Sequence, residues 1–277
     1  MSDVFDIQER VAKEIAEALM LKLTPNEKAV LTKRSTIVPE AYDCCLRAKK
    51  FISVSSLTNM IYAAQLFERA TELAQKYAEA YAGLARTYAT HYQLYDRDEK
   101  LLEKAFDNSL KALMYDPTLS DAYSALGYIY LARNNSEEAV RAAQKAVELD
   151  PESHSAFSTL GRILFTIGRN EDAANAYRRA IEIDPEAYIT YNVLEMCYER
   201  MGKTDLADEM VKKIISILPG YLRAHPDDAR SHMTLAVELA KIGRFDEARK
   251  QSYKAFEIAP IDSTIPYFPP SLYSLRG

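Results

Sequence analysis

Tryptophan is absent from this 277-residue sequence, and cysteine occurs only at Cys44, Cys45 and Cys197. Three cysteines make neither a disulfide framework nor a metal-type spacing, and adjacent cysteines on a helix point in different directions. They read as packing residues of a reducing compartment. Cys197 lies between Met196 and Tyr198 with no histidine nearby, so it does not look like a nucleophile. The 8 glycines stand singly, which excludes a glycine-rich phosphate loop. The four histidines, His91, His154, His225 and His232, have no second ligand at helical spacing. No apolar run approaches the ~20 residues that span a bilayer. The start "MSDVFDIQER" puts acids where a signal peptide has basic and then apolar residues. A net charge of −5 offers no basic footprint for nucleic acid. These absences point to a soluble, cytoplasmic chain with no catalytic residues, no cofactor, no metal, and neither nucleic acid nor membrane as partner.

What is present is a repeat. Hydrophobic residues make up 48% and charged residues 27%, enough to bury a core and remain soluble. "AVELDPES" (146–153) returns as "AIEIDPEA" (180–187). Proline recurs at 117, 151, 185 and 219, in steps of 34, and after seven inserted residues Pro226 and Pro260 are again 34 apart. A fixed period of this length marks stacked supersecondary units. Each period reads helix, turn, helix. Tyr123, Leu126 and Tyr130 share one helical stripe, "RNNS" turns the chain, and Ala139, Ala143 and Ala146 share a second stripe. Small residues such as Gly127, Gly161, Ala139, Ala173 and Ala207 let paired helices approach closely. Gly168, Gly202 and Gly243 suit the left-handed conformation that ends a helix. Each proline is expected to follow a helix end, and Asp before Pro117, Pro151 and Pro185 leans away from helical geometry.

"YSALGYIY" and "FSTLGRIL" resemble the tetratricopeptide repeat, W-x2-L-G-x2-Y, then A-x3-F, then P. Two departures stand out. Tyr123, Phe157, Tyr191 and His232 replace the tryptophan, and Glu195 occupies the small-residue position, which predicts looser packing there. Degenerate copies precede these units: "EAYAGLARTY", with about eight extra residues at its turn, and "EAYDCCLRAKKF", whose closing proline has become Gln75. The resemblance implies an all-α, right-handed superhelix of six repeats. The units run over about 39–77, 78–119, 120–153, 154–187, 188–225 and 226–260, forming an array at 39–260.

Residues 1–38 are expected to form two capping helices. The first carries Val4, Ile7, Val11, Ile15 and Leu19 on one face, and the second opens at "TPNE" with a capping box. "DVFDIQERVAKEIAEALMLKLTPNE" also resembles the segment that precedes the repeats in bacterial signalling proteins such as adenylate cyclases with a TolB-like region. That resemblance implies a regulatory or sensing C-terminal region of a larger signalling enzyme, and no cyclase catalytic residue carries over from it. Residues 261–277, with Pro266, Pro269 and Pro270, read as an extended tail. Either this tail folds back over the last helix near Tyr253, Phe256 and Ile258, or a second copy covers that face in weak self-association.

In tetratricopeptide arrays the first helix of each unit lines a concave groove that binds extended peptides. Carried over by position, the groove residues are Tyr128, Arg162, Phe165, Asn192 and Met196, joined by Arg86, Arg230 and Met233, with Ser124 and Ser158 also facing inward. Arg162 suits a bidentate grip on a carboxylate, Tyr128 and Phe165 offer flat apolar area, and the methionines offer adaptable surface. The arginines tilt the expected ligand toward acidic character. Two functions follow: a non-catalytic protein-interaction scaffold that binds a protein or peptide ligand, or the regulatory arm of an attached signalling enzyme. The coding sequence upstream of Met1 separates them.

Overall fold

The computed structural model describes residues 38–53 and 57–259, and every regular element among them is an α-helix. The twelve are α1 (Pro39–Ser53), α2 (Leu57–Leu73), α3 (Ala78–Leu94), α4 (Glu99–Tyr115), α5 (Ser120–Ala132), α6 (Ser136–Leu149), α7 (His154–Thr166), α8 (Asn170–Ile183), α9 (Tyr188–Arg200), α10 (Thr204–Ala224), α11 (Ala229–Lys241) and α12 (Phe245–Ile258). Each odd-numbered helix packs along the even-numbered helix that follows, giving six hairpins, and each hairpin leans on the next in an α-solenoid. The N-terminal helices and the Pro-rich tail expected from the sequence lie outside the described residues. Tyr253 and Phe256 on α12 are exposed.

The pairing depends on small side chains. Ala63, Ala105, Ala139, Ala173 and Ala248 lie at the same point of their helices and are fully buried. A Cβ at Gly127 would stand 2.9 Å from Ile163 Cδ1 and 3.4 Å from the Ala139 carbonyl oxygen. At Gly161 it would meet the Tyr177 ring at 2.8 Å. The turns inside the later hairpins use positive φ at Gly168, Gly202 and Gly243, and Asn134 (φ 59) does the same where glycine is missing. Between hairpins, the Oδ1 atoms of Asp116, Asp150 and Asp184 accept the N–H of the residue two further on, which holds the chain off its helix before proline.

The missing tryptophan has a local reason. The hydroxyls of Tyr81, Tyr123 and Tyr191 donate to the carbonyls of Gln75, Pro117 and Pro185, each six residues earlier, at 3.2, 3.4 and 3.2 Å. His232 Nε2 lies 3.1 Å from the Pro226 carbonyl. These side chains fill the gap between hairpins and also tie down the preceding turn.

Pro219 corrects an expectation. It does not follow a helix end but lies inside the 21-residue α10. Proline forfeits one helical hydrogen bond. Here the apolar stripe Ala207, Val211, Ile214, Leu218 and Leu222 runs buried through it, so burial carries the helix past the break. The seven inserted residues are close to two turns, and the stripe keeps its face.

Successive odd helices do not approach equally. α5 and α7 come within 8 Å over much of their contact, α7 and α9 do so at few points, and α9 and α11 at fewer still. Long polar side chains bridge this last gap. Glu195, expected to loosen the packing, is 1% exposed and ion-paired to Lys241 of α11. Glu238, also 1% exposed, lies 3.2 Å from Lys241 and accepts from the Asn192 amide at 3.3 Å. Two buried carboxylates thus share one ammonium. Burial, then the charge of Glu195, pushes Glu238 up to about 7.

Gly127→Leu should overpack the α5–α6–α7 contact and lower stability by about 1–3 kcal/mol in denaturant unfolding. The joint between α9 and α11 should respond to pH. The Glu238 carboxyl is raised from 4.5 to about 7 in the fold, so its stabilising contribution is complete at low pH and is lost as pH rises through that value. Glu238→Gln should therefore shrink the loss of melting temperature between about pH 5.5 and 8 relative to the parent chain.

Candidate functional site

The Arg86 guanidinium on α3 donates to Ser155 Oγ on α7 at 3.3 Å, past α5. The odd-helix side is therefore the inside of the curve. On that side, where α7 and α9 separate, a cleft of about 460 Å³ opens. α7 contributes His154, Ser158 and Arg162 at i, i+4 and i+8, a single helical stripe. α9 contributes Tyr188, Ile189, Thr190 and Val193, and the turn before it contributes Asp184, Glu186 and Ala187. Tyr128 of α5, Tyr177 of α8 and Tyr221 of α10 complete the wall.

Three of the four tyrosines, Tyr177, Tyr188 and Tyr221, are placed by identifiable constraints. The Tyr177 ring lies on the bare backbone of Gly161, and the residue is 2% exposed. Its hydroxyl has no hydrogen-bond partner. The other hairpins place Phe67, Ser109, Ala143, Val211 and Ser252 at the same position, so the buried phenol is particular to this one. Burial pushes its pKa up and nearby Arg162 pulls it the other way. Tyr188 and Tyr221 meet edge to face, with centroids 5.2 Å apart. Asp228 anchors both: it caps α11 at Ser231 N (3.1 Å), accepts Tyr221 OH (3.1 Å), and accepts the Ser231 hydroxyl that is 2.6 Å from Tyr188 OH. Tyr221 reaches the cleft because α10 runs on through the inserted residues.

Polar order continues along α7. His154 Nε2 is 2.9 Å from Thr190 Oγ1 and 3.4 Å from Ser158 Oγ. Burial lowers the His154 pKa, Asp184 raises it and Arg86 lowers it. From the cleft outward, α9 exposes Ile189 (52%) and Met196 (40%), with half-buried Val193 between them.

Of the residues expected in the groove, Tyr128 and Arg162 line the cleft. Met196 extends its rim. Phe165 is half-buried under the Arg200 guanidinium, 3.6 Å from its ring centroid, and its carbonyl accepts from the same arginine at 3.2 Å. Asn192, expected to face the groove, uses its amide to hold Glu238. Arg86 is engaged with Ser155, and Arg230 sits half-buried on α11, behind the cleft-lining Tyr188 and not in the lining itself. Met233 is not a groove residue. It is 1% exposed and packs with Ala229, Ala236 and Ala255, because the α11 stripe turns it toward α12. Ser124 is likewise buried. His154, Tyr177, Tyr188 and Tyr221 line the cleft without having been expected there. The signal available was the insertion that breaks the 34-residue period, because insertions in repeats often map to the binding face. Burial pushes Cys45 and Cys197 up to about 12 and 11, the opposite of what a reactive thiol needs.

A curved stack of helical hairpins with an aromatic cleft on its inner wall defines a helical-repeat protein of the solenoid class. Tetratricopeptide repeat models match residues 124–188 and 229–262. Over these residues the chain carries tetratricopeptide repeats. A Rhizobium meliloti (strain 1021) protein that carries the name of an adenylate cyclase is 31% identical over 85 residues, 31% of this chain and 14% of that protein's own length. A crystal structure of MamA is 29% identical over 59% of this chain and 92% of its own, with a TM-score of 0.42. One of YrrB, described as a TPR protein with an unusual peptide-binding site, is 22% identical over 77% of this chain and 100% of its own, with a TM-score of 0.41. Among the described residues no helix is long and apolar enough to cross a membrane, and no cluster of His, Cys, Asp or Glu could hold a metal ion.

The free Tyr177 hydroxyl contributes nothing to the fold it is buried in. Tyr177→Phe should leave stability unchanged or raise it by up to about 1 kcal/mol, since no hydrogen bond is lost and a buried polar group is removed. Thermal unfolding at constant pH checks this.

Proposed function

We propose that the chain is a non-catalytic interaction scaffold that holds an extended segment of a partner protein along the concave face of α5, α7 and α9. The observation that carries this is the half-open, tyrosine-walled cleft between α7 and α9, continued by the exposed Ile189 and Met196 with half-buried Val193 between them. Ile189 and Met196 leave apolar area on this inner wall that the fold does not cover. Aromatic walls supply contact area at small entropic cost, as recognition surfaces do. The cleft has the size and mixed lining of a binding site.

A second reading is favoured by one observation. The match to a protein named as an adenylate cyclase, together with the N-terminal segment, supports this array as the regulatory region of a larger signalling enzyme. In that setting the same groove would receive the effector segment.

Random dodecamer peptides selected on the whole chain should perturb the methyl resonances of Ile189 and Met196. Ile189→Asp should weaken the selected peptides about tenfold or more while melting hardly moves, because an exposed side chain is exchanged. Selected peptides that shift only convex-face or terminal resonances would reject the groove.

A further inference from the structure

The two ends of the cleft carry opposite charge. At one end Arg162 is exposed, and its charge is felt by the buried Tyr177 hydroxyl. Among the described residues no carboxylate is ion-paired with Arg162. At the other end, beside His154, stand the exposed Asp184 and Glu186, neither of them ion-paired among the described residues, and the Arg86 guanidinium that reaches this end donates to Ser155 Oγ. His154 and Arg162 are eight residues apart on one helix, which separates the poles by roughly 12 Å. Between them the opposing wall is apolar, with Tyr188, Ile189 and Val193.

A second observation points to a ligand at the basic pole. The Tyr177 phenol is 2% exposed, lines the cleft and has no partner for its hydroxyl. Buried hydroxyls are normally satisfied. Beside a guanidinium, the group that satisfies both is an acceptor with negative charge, and an O–H donor next to a cation binds a carboxylate more strongly than either does alone. In an extended segment of polyproline II type, which repeats every three residues, side chains i and i+3 lie on one face about 9 Å apart, close to the separation of the poles.

We propose that the cleft reads an extended partner segment by charge at both ends: a Glu or Asp held by the Arg162 guanidinium and the Tyr177 hydroxyl, an apolar side chain against Tyr188 and Val193, and a Lys or Arg about three residues along, facing Asp184 and Glu186. This rests on the groove reading above and fixes the partner's chemistry within it. The ligand is bipolar, which replaces a simple preference for acidic peptides.

The test uses the full chain with labelled Ile and Met methyls and four blocked hexapeptides: Ser-Glu-Leu-Leu-Lys-Ser, the two forms with Gln in place of one charged residue, and the form with Gln in place of both. The doubly charged peptide should bind tightest, and each neutralisation should weaken it by about tenfold. Arg162→Gln should abolish the advantage of Glu over Gln and leave that of Lys intact, and Glu186→Gln should do the reverse. Tyr177→Phe should weaken only the Glu-containing peptides, by roughly threefold to tenfold, without loss of melting temperature. Equal affinity of all four peptides at Ile189 and Met196 overturns the charge reading and leaves the groove standing. If none of the four perturbs those methyls at millimolar concentration, the charge reading falls. If the selected dodecamers also miss the concave face, the groove falls with it.

Discussion

The close approach of paired helices through alanine and glycine is the constraint on which everything else in this molecule depends. Ala139, Ala173 and Ala248 are fully buried because nothing larger fits where two helix backbones nearly touch. That contact fixes the angle within a hairpin, and repetition of the angle generates the curve. The curve in turn defines an inner wall, shown by the reach of Arg86 across α5 to Ser155. Packing of this kind tolerates little change in volume, so larger side chains that enter the seam must find bare backbone. Tyr177 does so over Gly161 and brings a polar tip with it.

Function is located where the repetition is relaxed. Between α7 and α9 the backbones part, and the gap is filled by aromatic rings and a chain of small hydroxyls and imidazole instead of alanine. One joint further on, Glu195 and Glu238 share Lys241 in a buried cluster that spans α9 and α11. Ion pairs of this type confer less stability than apolar packing would, because desolvation opposes the attraction. They do hold two helices at a separation that methyl groups could not bridge. The spacing of the inner wall therefore varies along the stack, close from α3 to α7 and wider from α7 to α11, where longer side chains span it.

The seven inserted residues show how a departure from the period can build a site without disturbing the stack. As two extra turns of α10 they keep Leu218 and Leu222 on the buried stripe and carry Tyr221 to the floor of the cleft. An insertion of another length would have rotated that stripe away from its neighbour. The same register argument explains why α11 resumes the pattern at Asp228 with its cap intact.

The helical hairpins, their small-residue seams and their glycine turns were legible in the residues alone, because those features are local and recur every 34 positions. Two of the groove residues read by position, Tyr128 and Arg162, line the cleft for the same reason: their place on the first helix of a unit fixes the side they face. Asn192, Met233 and Ser124 defeated the same reasoning, since a helix presents its sides by degrees and the neighbour across the gap decides which residues are covered. Pro219 misled for a related reason: local propensity argues for a break, and burial of a stripe two turns longer overrides it. Composition and period determined that this chain is a stack of helix pairs. Tertiary structure alone decided that its fourth and fifth hairpins stand apart, that a buried phenol is left without a partner, and that opposite charges face each other along one cleft, because each depends on distances between helices that the repeat does not encode.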